Sequence, residues 1–159
     1  MKQSQSLVLF NQNTVRRHWD ADKELWYFSV ADVVQALTDQ PSFQTARKYW
    51  NKLKERLKKE GSQSVTNCHQ LKMRAADGKF YFTDAADTET LLRLIQSIPS
   101  PKAEPFKLWL AKVGYERIEE TEDPELAMER AMKTYLKKGY TKEWINQRLK
   151  SIEVRKELT

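Results

Sequence analysis

A chain of 159 residues with 40% apolar side chains and five tryptophans can bury a core, which excludes a disordered tail and leaves room for one domain with a small helical appendage. A formal charge of +6 and a pI of about 9.3 favour a polyanionic partner over an acidic or neutral one. One cysteine, Cys68, excludes an internal disulfide, and with His18 and His69 as the remaining soft ligands the chain cannot fill a structural zinc site.

In chain order, residues 7–10, 14–19 and 24–28 carry side chains that suit half-buried strands, with a polar turn at residues 20–23. The apolar run at residues 7–10 is too short for a signal peptide or a membrane span, so a cytoplasmic chain without a membrane partner is expected. Ser29 supplies a helix N-cap with Asp32 in the capping-box position, and Val30, Val33, Val34 and Leu37 form one stripe. After the sequence Asp-Gln-Pro-Ser at residues 39–42, Ser42 opens a longer helix on which Phe43, Ala46, Trp50, Leu53 and Leu57 share a side. The opposite face carries Gln44, Lys48, Asn51, Lys52, Glu55 and Lys59, its flank Arg47, Lys54 and Lys58, and Gly61 is the stop.

A second hairpin is expected over residues 67–83, closing on Asp77-Gly78 as a two-residue loop, with Phe80 and Phe82 alternating with Tyr81 on a half-buried strand. A helix over residues 88–98 turns Leu91, Leu92, Ile95 and Ile98 inward. Three of the five prolines fall in residues 96–105, which marks a joint between residues 1–100 and a helical extension over 101–159. In the extension Phe106, Trp109, Leu110 and Val113 form one stripe, Asp123-Pro124 starts a helix that Gly139 ends, and Thr141 caps a last helix through Trp144, Ile145, Leu149 and Ile152. That pattern reaches residue 159 without a stop signal, so a longer natural protein is expected.

The helix pair around residues 39–42 meets the requirements of a helix-turn-helix reader: a short apolar helix, a tight turn and a longer helix with basic and amide side chains outward. Residues 43–60 hold seven Lys or Arg against two Glu, a surplus of +5. Lys and Arg there can neutralise phosphates, and Gln44 and Asn51 can pair with base edges. The bland alternative is the solvated side of an amphipathic helix. Lys72 and Arg74, with Lys79 near the hairpin tip, suit a wing along the DNA backbone or an ordinary lysine-protected sheet edge. Arg16, Arg17 and His18 are further phosphate candidates or a plain exposed strand face. No phosphate loop, nucleophile elbow or zinc-protease motif is present, and Asp84, Asp87 and Glu89 fall where a helix begins, which suits capping. The chain is expected to be no enzyme, with no catalytic residues, metal or cofactor.

The sequence Trp-Tyr-Phe-Ser-Val-Ala-Asp-Val-Val-Gln-Ala-Leu at residues 26–37, Ala-Arg-Lys-Tyr-Trp-Asn-Lys-Leu-Lys at 46–54, and the run at 86–111 from Ala-Asp-Thr-Glu-Thr to Phe-Lys-Leu-Trp-Leu-Ala resemble the N-terminal domain of the Bro family, the prophage antirepressor type. The resemblance covers about residues 5–120 and implies DNA binding in phage, prophage or large DNA virus settings, with a variable region following. It carries over no catalytic residue. The expected fold is therefore α+β: a small sheet of two hairpins with helix-turn-helix-like helices, followed by a helical C-terminal segment. The expected partner is double-stranded DNA, held by Arg16, Arg17, Gln44, Arg47, Lys48, Asn51, Lys52, Lys54, Lys58, Lys59, Lys72 and Arg74. The alternative is a module that inactivates a repressor by direct binding without touching DNA; a homodimer on a palindrome is left open.

Overall fold

The computed structural model describes residues 15–158, so the strand expected at residues 7–10 lies outside it. Strands β1 (Arg17–Asp20), β2 (Leu25–Ser29), β3 (His69–Arg74) and β4 (Phe80–Asp87) form two hairpins that merge into one antiparallel sheet of order β1-β2-β4-β3. Trp19 stands opposite Trp26 with ring centroids 5.2 Å apart, and Phe28 stands opposite Ala86 where the hairpins join. Alternation along the strands gives the sheet two faces. One, through Phe28 and Ala86, adjoins the main core; the other carries a small cluster of Tyr27, Met73 and Ala85.

Helix α1 (Val30–Thr38) follows β2 directly, the Ser29 hydroxyl accepting from the Asp32 amide at 3.3 Å. Val30, Val33 and Val34 are buried and so are Ala31 and Ala36; a helix apolar nearly all round sits inside the core rather than on it. Asp39 ends it at φ 53, and Ser42 with Thr45 forms a capping box that opens α2 (Phe43–Lys59). Gly61, at φ 75, closes α2: its amide donates to the Lys58 carbonyl and that of Ser62 to the Leu57 carbonyl, a Schellman ending. Ala46, Trp50, Leu53 and Leu57 face inward as the spacing predicts, whereas Phe43, the first residue of the expected stripe, is 36% exposed. The short α3 (Gln63–Thr66) leads into β3, and α4 (Thr88–Ile95) follows β4 with Asp87 as its cap.

Three expectations need correction. The helix expected to reach residue 98 ends at Ile95, and Leu94 rather than Leu92 fills the core, although Ile98 stays buried beyond the helix. The hairpin closes on three residues, 76–78: the Ala75 amide donates to the Lys79 carbonyl, and the Gly78 amide to that of Ala75. Gly78 at φ 83 is the left-handed bulge residue such a loop needs. Lastly, Phe80, Tyr81 and Phe82 are 63%, 51% and 61% exposed, so the strand is not half-buried there.

Residues 101–103 form a 3-10 turn whose Ala103 is buried in the first unit, and the two compact units divide at Lys107 and Leu108. The second unit contains most of α5 (Glu104–Glu122) with α6 (Glu125–Lys137) and α7 (Lys142–Glu157). Trp109 and Val113 of the expected stripe remain 42% and 41% exposed. Gly139 ends α6 at φ 91 and Thr141 caps α7. Tyr140 stacks on Trp144 at 4.0 Å, Tyr135 meets both edge-on, and Ile145 is fully buried. Among the described residues no helix is long and apolar enough to cross a membrane.

Candidate nucleic-acid interface

Because the apolar stripe of α2 packs inward, its opposite side is fixed toward solvent, and Gln44, Arg47, Lys48, Asn51, Lys52, Lys58 and Lys59 are all exposed. From Gln44 to Lys59 they run along about 22 Å of helix axis. Among the described residues no carboxylate lies within ion-pairing distance of Arg47, Lys48, Lys52, Lys58 or Lys59. The remaining cations of the helix are engaged: Arg56 lies 3.9 Å from Glu60 and donates to the Ser97 carbonyl, and Lys54 turns under the helix.

Lys54 is the first expected contact that the structure shows already paired. Its Nζ donates to Asp84 Oδ2 at 2.8 Å, Trp50 Nε1 donates to the same oxygen at 2.8 Å, and Gln70 reaches the other at 3.4 Å. Asp84 therefore ties α2 to the sheet and does not cap α4, which is the work of Asp87 through the Thr90 amide at 2.9 Å. Burial raises the Asp84 pKa, but the hydrogen bonds from Lys54 and Trp50 outweigh it and hold the carboxyl below its ordinary value. A depressed carboxyl contributes stability that is complete above its unfolded pKa, about 3.9, and is lost as pH falls through the folded value. Asp84→Asn should thus cost about 1–3 kcal/mol at pH 7, and the gap to wild type should narrow below about pH 4; thermal melting at the two pH values checks it. Near this anchor, burial first and the Asp84 charge second push the Cys68 thiol up to about 12, which leaves it protonated and inert at neutral pH.

Arg16 is the second. Its amide and its Nε donate to Asp32 Oδ2 at 2.9 and 2.8 Å, Nη2 donates to Oδ1 at 3.0 Å, and Nη1 reaches the Arg74 carbonyl at 3.2 Å. With most of its donors spent, it clamps the start of α1 to the β3–β4 hairpin. Asp32, 7% exposed, faces this clamp rather than reaching back to its N-cap. Arg17 lies on β1 with its guanidinium 4.3 Å over the Trp26 ring.

On the hairpin, Lys72 and Arg74 are exposed, and Lys72 Nζ sits 5.2 Å over the Phe82 ring. Between this hairpin and the first turn of α2 runs a cleft of about 430 Å³, lined by Phe43, Gln44 and Arg47 on one side and Tyr81, Phe82 and Thr83 on the other. Lys72 lies on β3, paired with Phe82 of that wall. In the turn, Asp77 accepts from the Tyr81 hydroxyl at 2.7 Å and the Lys79 amide at 2.8 Å; these bonds hold its carboxyl below the usual range and push the Tyr81 phenol up. Sequence reasoning missed the exposed aromatics, the Arg16 clamp and the Asp84 anchor.

Residues 14–119 match the family described as "BRO family, N-terminal domain", which takes in the sheet, α1 to α4 and most of α5. No curated protein and no solved structure matches the chain.

Proposed function

The chain belongs to the BRO family through its N-terminal domain, and from that premise we propose that it is a DNA-binding regulatory protein of the prophage antirepressor type that holds duplex DNA with the exposed face of α2. The observation that supports this reading is the row of Arg47, Lys48, Lys52, Lys58 and Lys59, exposed together without carboxylate partners among the described residues while the helix's inward cation is neutralised by Asp84. Such a row repels itself in water and is discharged by a polyanion, which releases its own condensed counterions in return. An α-helix fits the major groove, and the amides of Gln44 and Asn51, two turns apart on the same face, are suited to base edges there. Lys72 and Arg74 extend the positive surface onto the hairpin; Arg16 and Lys54 leave the contact set because their charge is spent inside the fold.

Selection of bound duplexes from a random-sequence pool tests the reading. Retention with enrichment of a short motif is expected. A pool that passes unretained at low salt sinks it, and capture of a purified repressor by such a chain would transfer the function to the repressor-binding alternative.

A further inference from the structure

On the β3–β4 hairpin, Phe80 stands opposite Arg74 and Phe82 opposite Lys72, so one sheet face carries an aromatic ring beside a cation twice in succession. Asp84 follows on the same face, and there Trp50 and Lys54 of α2 cover the strand. Beyond that cover β4 continues, and both rings project into water at 63% and 61% exposure. The projection is held stiffly: Asp77 binds the Lys79 amide and the Tyr81 hydroxyl, and Arg16 holds the Arg74 carbonyl.

Exposed rings rimmed by charge mark an interaction surface, and the sign of the rim selects the partner. Lys72 and Arg74 stand beside the rings on the same face, and Arg47 lines the cleft with Phe82. The carboxylate of the turn, Asp77, is already bound by hydrogen bonds. Cations call for phosphates and projecting rings call for flat apolar faces; a base stack between two phosphate rows offers both. Phe82 borders the cleft and Phe80 lies outside its lining, and at 61% and 63% exposure both rings are exposed enough to reach into a stack.

We propose that Phe80 and Phe82 form a wedge that enters a base step of duplex DNA from the minor groove, with Lys72 and Arg74 on the flanking phosphates. The inference rests on the reading of α2 as the duplex-holding helix and adds a contact that bends what that helix holds. Insertion of such side chains kinks a duplex by about 20–90°.

The test uses the full chain and a duplex of about 30 base pairs, with donor and acceptor dyes at its ends and 2-aminopurine inside it. Binding of wild type should raise both energy transfer and 2-aminopurine emission. Phe80→Ala/Phe82→Ala should bind about tenfold more weakly and leave the duplex straight, with unchanged thermal melting because both rings are exposed. Phe80→Leu/Phe82→Leu should restore the bend, since leucine also wedges. Neither variant removes a charge, so the salt dependence should stay as in wild type. A straight duplex under bound wild type, or the same bend with the alanine variant, overturns the wedge and leaves the α2 reading standing. Preference for the single strand over the duplex overturns it in favour of open-strand stacking. Absence of any duplex binding overturns both.

Discussion

Replacing Trp50 by alanine is expected to destabilise the first unit by about 3–5 kcal/mol, measured as a lower midpoint in urea at unchanged slope. The indole is 2% exposed and packs in the core that α1, α2, α4 and the sheet share. Truncation opens a cavity where close-packed neighbours relax only in part. It also removes one of the donors to Asp84, leaving a half-buried carboxylate dependent on Lys54 and Gln70. Trp50→Phe separates the two effects, because it keeps most of the volume and loses the hydrogen bond. It should cost about 1–2 kcal/mol beyond a small packing loss. A loss below about 1 kcal/mol for the alanine variant would mean that α2 is not fixed to the sheet by this residue.

Reversing two charges on the outer face is expected to act on binding and not on folding. Lys48→Glu/Lys52→Glu places carboxylates where duplex phosphates would approach, and affinity near physiological salt should fall by about a hundredfold or more, read by fluorescence anisotropy of a labelled duplex. Both side chains are exposed and neither meets a carboxylate among the described residues, so thermal melting should stay close to wild type. The same reversal at Lys54 would confound the readouts, since its Nζ is held by Asp84. Full affinity in the Lys48/Lys52 variant would reduce the face to a solvated surface.

The helices were legible because their signals are local. Ser29 and Ser42 as caps, the stripe from Ala46 to Leu57 and the stop at Gly61 each depend on neighbours within a turn, and all appear in the structure. The ion pairs of Arg16 and Lys54 were not legible because their partners, Asp32 and Asp84, are 16 and 30 residues away, and composition cannot say which surface cation meets a carboxylate after folding. The hairpin shows the same limit on a smaller scale. Asp-Gly signals a turn, but its length follows from how the Ala75 and Lys79 backbones pair. Period-two alternation in Phe80-Tyr81-Phe82 indicates a strand without indicating cover, and α2 stops covering this one at Asp84. Candidate contacts on α2 were legible because they lie on the reverse of the apolar stripe.

Salt dependence of duplex affinity measures the number of phosphates the chain neutralises, which is the claim the rest depends on. Plotting log affinity against log salt for wild type and for Lys48→Ala/Lys52→Ala should give a line shallower by about 1.8 in the variant, roughly 0.9 for each cation removed. Parallel lines would contradict it, since they would mean that neither lysine meets a phosphate.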